Sequence, residues 1–190
     1  PFLPYNSRVT EPLLHIKLYA PPLRPNLVPR RRLIERLNQG LQVGHRLSII
    51  SAAAGFGKTT LAGEWLAAGE RPAAWLSLDE DDNDPLRFLT YLVAALQTLA
   101  DRGADGIPPE LGQKAAALLR STPPPSLDVI VTTLINELTA VPSGFSLVLD
   151  DYHLINNQAV DRLLATMLEY QPPQMHLIIA TREDPPLPLA

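Results

Sequence analysis

The stretch Ser51-Ala52-Ala53-Ala54-Gly55-Phe56-Gly57-Lys58-Thr59-Thr60-Leu61 constrains this chain more than any other. It follows a short apolar run, Leu47-Ser48-Ile49-Ile50, and opens a helix-like run that reaches Ala68. Strand, glycine loop, Lys-Thr and helix, in that order, is the layout of a phosphate-binding loop. Gly55 and Gly57 let the backbone curl so that several N–H groups, those of Phe56 and Thr60 among them, face one anion. The helix adds unpaired N–H groups and the positive end of its dipole. Lys58 is placed to put its ammonium on the β- and γ-phosphates of a nucleotide, and Thr59 to offer a hydroxyl to Mg²⁺. The first glycine of the general pattern is Ala52 here, which is tolerable where no positive φ is needed. An ordinary strand-to-helix turn with a chance Gly-Lys-Thr is the plain alternative.

The 190 residues are enough for one domain with a sizeable core. A net charge of −4 gives no electrostatic reason to expect nucleic acid as a partner. The absence of cysteine excludes disulfides and thiolate chemistry and suits a reducing compartment. No apolar run approaches a membrane span, and no basic-then-apolar leader is visible, so a cytoplasmic location without membrane contact is expected.

Along the chain, the Pro-rich residues 1–29 read as an extended N-terminal strap over a surface, a floppy leader being the plain alternative, and residues 30–190 as the core. Helices are predicted over Arg30–Leu41, from Thr59 to Ala68 with Gly69 as a left-handed stop, from Asp84-Pro85 onward, over about Pro109–Arg120, and over Ser126–Thr139 and Asn157–Tyr170. Strands are predicted at Arg46–Ser51, Ala73–Leu78, Ser146–Leu149 and His176–Ala180. Their alternation with helices predicts an α/β three-layer fold around a parallel sheet, in which ligands sit at the carboxyl ends of the strands. The glycine loop, the acidic run Asp79–Asp84, Asp150-Asp151 and Thr181-Arg182 all fall at such ends, which points to a single site.

There, Asp150 is placed to hold the Mg²⁺ shell and Asp151 to orient an attacking water, a helix cap or turn being the plain alternative. Arg182 is placed to touch a γ-phosphate, or is a loop arginine in solvent. The cations Arg30-Arg31-Arg32 oppose the dipole of the helix they open, so they are either solvated or near a local anion. His15, His45, His153 and His176 have no zinc spacing and read as surface or second-layer groups.

Five stretches, in this order, carry a resemblance: Arg24 to Arg30, Ser51 to Leu61, Trp75-Leu76-Ser77-Leu78-Asp79 through Pro85, Leu147-Val148-Leu149-Asp150-Asp151-Tyr152-His153-Leu154-Ile155, and Ile179-Ala180-Thr181-Arg182 through Ala190. Together the chain resembles the N-terminal NTPase module of large LuxR-type transcriptional regulators of the maltose-activator-like group, within the STAND class of signal-transduction ATPases. In that family Ala is common at the position of Ala52. The resemblance implies a P-loop NTPase of the ASCE/STAND type with strand order 2-3-4-1, truncated before the last strand and lid. It implies ATP/ADP with Mg²⁺, with Val28 and Arg30 of the strap near the adenine and phosphates. It further implies an ADP-bound inactive state, self-association of the full-length protein with ATP, and DNA binding only through a C-terminal domain absent here. A weak, regulatory ATPase activity is expected. A free-standing P-loop enzyme such as a small-molecule kinase stays open, although the arginines after Lys58 are scattered, and so does a nucleotide-binding scaffold without turnover.

Overall fold

The computed structural model describes residues 12–187 apart from Leu27. The expected strap over residues 1–11 and the end of the Pro-rich tail at 188–190 lie outside the described residues. The elements are α1 (Arg31–Gln42), β1 (Leu47–Ser51), α2 (Lys58–Ala68), β2 (Ala73–Ser77), α3 (Pro85–Asp101), α4 (Gln113–Arg120), α5 (Leu127–Thr139), β3 (Phe145–Asp150), α6 (Gln158–Glu169) and β4 (Met175–Thr181). The four strands form one parallel sheet in the order β1-β4-β3-β2. Each element lies within a few residues of its expected place, and the strand order is the one the resemblance implies, read from the other edge.

Strand alternation builds the three layers. On one face Leu76, Phe145, Leu147, Leu149, Leu177 and Ile179 meet the apolar stripes of α3, α5 and α6 in the main core. On the other face Trp75, Val148 and Ile178 meet Ala62 and Trp65 of α2, with Ile34, Leu37 and Leu41 of α1 packed against them. β3 and β4 are buried along their whole length because both faces are covered. Full burial of each large aliphatic chain stabilises by about 1.5–3 kcal/mol, so the thick α3–α6 face supplies most of the hydrophobic stabilisation. The thin α1–α2 face carries the glycine loop.

Three expectations need correction. Gly69 does not stop α2 in a left-handed conformation. Its φ and ψ are −95° and 157°, and the chain leaves extended after a Gly69 N–H bond to Leu66 O. His176 is not a surface group. It is fully buried on the inner strand β4, with Nε2 3.1 Å from Ser48 Oγ and Nδ1 2.8 Å from His45 O. Burial pushes its pKa down, against the upward pull of the His45 carbonyl. Finally, the acidic run after β2 does not join the glycine loop, because β2 and β1 are the opposite edges of the sheet. Asp79 and Asp82 form a capping box on the 3₁₀ turn Glu80–Asn83, and Asp84 caps α3 by accepting from Arg87 N at 2.8 Å, with Pro85 at the first helical position as expected.

The acidic run also anchors the strap. A 3₁₀ turn, His15–Leu18, packs against the edge strand β2 and sends Leu18 into the main core. Buried Lys17 donates to Asp82 Oδ2 and to Asp79 Oδ2 at 2.9 Å, and its ammonium lies 4.2 Å from the Tyr91 ring centroid. Tyr91 Oη accepts from Leu14 N at 3.1 Å. The strap is thus fixed by charge at the β2 edge before it reaches α1.

Candidate nucleotide site

The loop between β1 and α2 leaves the sheet with Ala52 N bonded to Thr181 O at 3.2 Å, which pins it beside the end of β4. Gly55 and Gly57 take φ values of 81° and 71°, the left-handed region that an L side chain disfavours. No side chain caps the start of α2, so its first N–H groups face outward with the positive end of the helix dipole. Lys58 is 7% exposed, and its ammonium donates to Ala52 O at 2.8 Å and Ala53 O at 3.2 Å, drawing the loop into a closed curl.

Beneath the loop, Thr59 Oγ1 donates to Asp150 Oδ1 at 3.0 Å. β4 lies between β1, which carries the loop, and β3, which carries Asp150, so the bond spans an intervening strand. Asp150 is 2% exposed, and its carboxyl is pushed up to about 6, first by burial and then by the Asp151 charge, against the Thr59 hydrogen bond and the Lys58 charge. A buried carboxylate with a hydroxyl beside it at a helix start is a hard-oxygen donor pair, and it fits Mg²⁺. Asp151 is the one non-glycine residue with positive φ among the described residues, at 58°. That turn swings its side chain away from Asp150 into the cleft, where it is 43% exposed.

The cleft has a volume of about 440 Å³, and its walls include Arg24, Arg30, Gly55, Gly57, Lys58, Thr59, Thr60, Asp151 and Arg182. Arg30 Nη1 donates to Phe56 O at 2.7 Å and Gly57 O at 3.1 Å, and a Cβ on Gly57 would lie 2.5 Å from Arg30 Nη2. The arginine cluster therefore divides: Arg30 clamps the loop, and Arg31 and Arg32 are solvated. Val28 and Phe56 are 81% and 67% exposed and are not part of the cleft wall. Arg24, the first residue of the Arg24 to Arg30 stretch, joins Arg30 in the cleft wall. His153 stands behind Asp151, with Nδ1 3.8 Å from Asp151 Oδ1 and neither ring nitrogen hydrogen-bonded. Burial and then the Arg182 charge hold its pKa low.

The Asp150 shift has a testable sign. Its folded pKa lies above the ordinary 3.8, so the folded chain takes up a proton between about pH 6 and 4 that the unfolded chain releases. Stability without ligand thus falls as pH rises through that window. Asp150→Asn removes the buried charge and still accepts from Thr59. At pH 7.5 the metal-free variant is expected to be more stable by roughly 2 kcal/mol, melting about 4–8 °C higher, with the gain gone at pH 4. Equal melting temperatures at pH 7.5 would refute the unpaired buried charge.

A parallel sheet with a strand inserted between the loop strand and the acidic strand, and a glycine loop closed by Lys-Thr at a helix start, define a P-loop ATPase fold. The AAA ATPase domain family matches residues 26–180, and the chain belongs to that family. Among curated relatives it is similar to the HTH-type transcriptional regulator MalT of Yersinia enterocolitica (40% identical over 178 residues), of Serratia proteamaculans (39%) and of Cronobacter sakazakii (37%). Each match covers 94% of this chain and 18% of the relative, so the chain spans under a fifth of their length. Among solved structures it is similar to Cdc6p from Pyrobaculum aerophilum, with TM-score 0.52 and 15% identity over 85% of this chain and 42% of that one. The Aeropyrum pernix Orc1 protein, solved in complex with DNA, gives TM-score 0.52 and 16% identity over 84% and 40%. At such identities the likeness is one of fold. Among the described residues no helix is long and apolar enough to cross a membrane.

Proposed function

We propose that this chain is the nucleotide switch module of a LuxR-type transcriptional regulator, inactive with ADP and competent to self-associate with ATP. The observation that carries the nucleotide part is the Thr59–Asp150 bond beneath a loop whose Lys58, Arg30 and Arg182 surround one cleft. The similarity to MalT over nearly the whole chain supports the regulatory part. In this reading the N–H groups of Gly55 to Thr60 and the Lys58 ammonium bind the phosphates. Thr59 and Asp150 would hold Mg²⁺, which spreads phosphate charge during transfer. Asp151 orients a water, and Arg182 contacts the terminal phosphate. Exposed Val28 and Phe56 offer apolar surface to a purine, and Arg24 and Arg30 bring the strap into the pocket. DNA contact belongs to another part of the longer protein.

The test has two stages. Calorimetry on the 190-residue chain should give Mg²⁺-dependent ADP binding, and its absence would remove the nucleotide reading. Sedimentation of the full-length protein should give a monomer with ADP and larger species with ATP; the same state with both would remove the switch. The two carboxylates should also separate. Asp150→Asn is expected to lower Mg²⁺-dependent affinity about tenfold, while Asp151→Asn binds normally and slows hydrolysis in the full-length protein by about 10²-fold or more. Equal losses of Mg²⁺-dependent binding would contradict that division.

A further inference from the structure

A second cavity, of about 400 Å³, opens away from the nucleotide cleft. Its walls come from the strap (Tyr19 to Leu23), the last turns of α2 (Gly63, Leu66, Ala67), the start of β2 (Ala73, Trp75) and two arginines, Arg71 and Arg102. Ala73 begins β2 and Arg102 follows the end of α3, so this cavity lies at the amino ends of the strands, whereas the glycine loop lies at the carboxyl ends. The two cavities share no lining residue, and only the strap and α2 reach both: Leu23 and the last turns of α2 line this one, Arg24 and the first turn of α2 the other.

The lining has two chemical parts. The floor is apolar and fixed. Trp75 is 2% exposed and ties its indole N–H to Ser77 Oγ at 2.9 Å, and Leu23 packs against Gly63, where a Cβ would lie 3.3 Å from the leucine methyl. The rim carries two guanidinium groups, and neither is paired with a carboxylate among the described residues. Arg71 lies flat against the backbone before β3, close enough that a Cβ on Gly144 would meet its Nη2 at 2.5 Å. Arg102 stacks over the Tyr19 ring at 5.0 Å. Both forks are therefore oriented before any ligand arrives, which lowers the entropy lost in binding. The volume lies within the range of small-molecule sites.

We infer that this cavity is a second ligand site, one that takes a small molecule with a dianionic head on an apolar or aromatic body. Arg71 and Arg102 would bind the head and the Trp75–Leu66–Leu23 floor the body. Two cations on the wall of one cavity favour a double charge, and phosphate monoesters and dicarboxylates both match guanidinium forks. The inference stands apart from the nucleotide reading, since it uses none of the residues of that cleft.

The test is NMR titration of the isotope-labelled 190-residue chain with phenyl phosphate and, separately, with phenylsuccinate, reading the Trp75 indole and Arg71 Nε resonances. The Gly55 and Gly57 amides report binding at the glycine loop in the same spectra, so the two sites are read separately. Expected is saturable shifting of Trp75 and Arg71 with a dissociation constant of about 1 mM or tighter for at least one dianion, the tighter one naming the head group. Arg71→Gln and Arg102→Gln should each weaken this by about tenfold. Ala67→Phe, at an exposed position, should block it while leaving the melting temperature unchanged. Inorganic phosphate and benzyl alcohol should each bind at least tenfold more weakly. No saturable shift of Trp75 with either dianion up to roughly 20 mM would overturn the inference. So would unchanged affinity in the double arginine variant, or inorganic phosphate binding as tightly as phenyl phosphate.

Discussion

Lys58→Ala is expected to lower the affinity of the chain for ADP by on the order of 100-fold, about 2.7 kcal/mol, read by calorimetry. Two losses combine. The ammonium is a charge-assisted donor to phosphate oxygens in a cleft that is partly shielded from water. It also closes the loop on itself through Ala52 O and Ala53 O, and without that closure the N–H groups of Gly55 to Thr60 are less well aligned on one anion. The dipole of α2 and the Arg30 guanidinium remain, so weak binding should persist rather than vanish. The melting temperature of the variant, measured in the same buffer, separates loss of the site from loss of the fold. A folded variant that binds ADP as tightly as the parent would remove Lys58 from the site.

Lys17→Met should cost the chain roughly 3 kcal/mol of stability and lower its melting temperature by about 6–12 °C. Lys17 is 5% exposed and Asp82 fully buried, so the substitution leaves a desolvated carboxylate without its nearest cation. Arg87 Nε, 3.5 Å from Asp82 Oδ1, keeps the loss at the low end of what breaking a buried pair costs. Asp79, 44% exposed at its side chain, adds little because water screens it. The pair also has a pH sign. Burial acts to raise the Asp79 pKa, but the hydrogen bond and charge of Lys17, with Arg87, hold it below the ordinary 3.8. That contribution is present at neutral pH and fades as pH falls below the ordinary carboxylate range. Adding Asp82→Asn to Lys17→Met should restore at least half of the loss, since the amide can still accept from Asp79 N. A double variant no more stable than Lys17→Met alone would show that apolar packing, and not charge, holds the strap at β2.

Two features explain how the fold and the candidate site divide between sequence and structure. Wherever an element repeats one physical rule along the chain, its place was legible. The apolar runs of β1 to β4, the four-residue spacing of Leu33, Leu37 and Leu41 in α1, and Asp84-Pro85 at the start of α3 are local signals, and the elements lie within a few residues of where those signals put them. The loop residues Gly55 to Thr60 were legible for the same reason, because turn, ammonium, hydroxyl and helix start are consecutive.

What the sequence by itself determined, then, was the type and order of the elements and the identity of the phosphate loop, since hydrophobic period and glycine spacing act over a few residues. Which strand ends meet followed from no local signal; the family resemblance implied the strand order, and the tertiary structure shows the contacts it makes. Asp79 to Asp84 and Asp150-Asp151 are both acidic runs after apolar strands and look alike in sequence. The order β1-β4-β3-β2 brings the second to Thr59 and carries the first to the far edge, where Lys17, 62 residues before Asp79, bonds Asp79 and Asp82. The same packing buries His176 on an inner strand and swings Arg30 over Gly57 while Arg31 and Arg32 stay in water. Pairing across the sheet is a long-range choice, set by how two hydrophobic faces of unequal thickness close around it, and no local spacing encodes it.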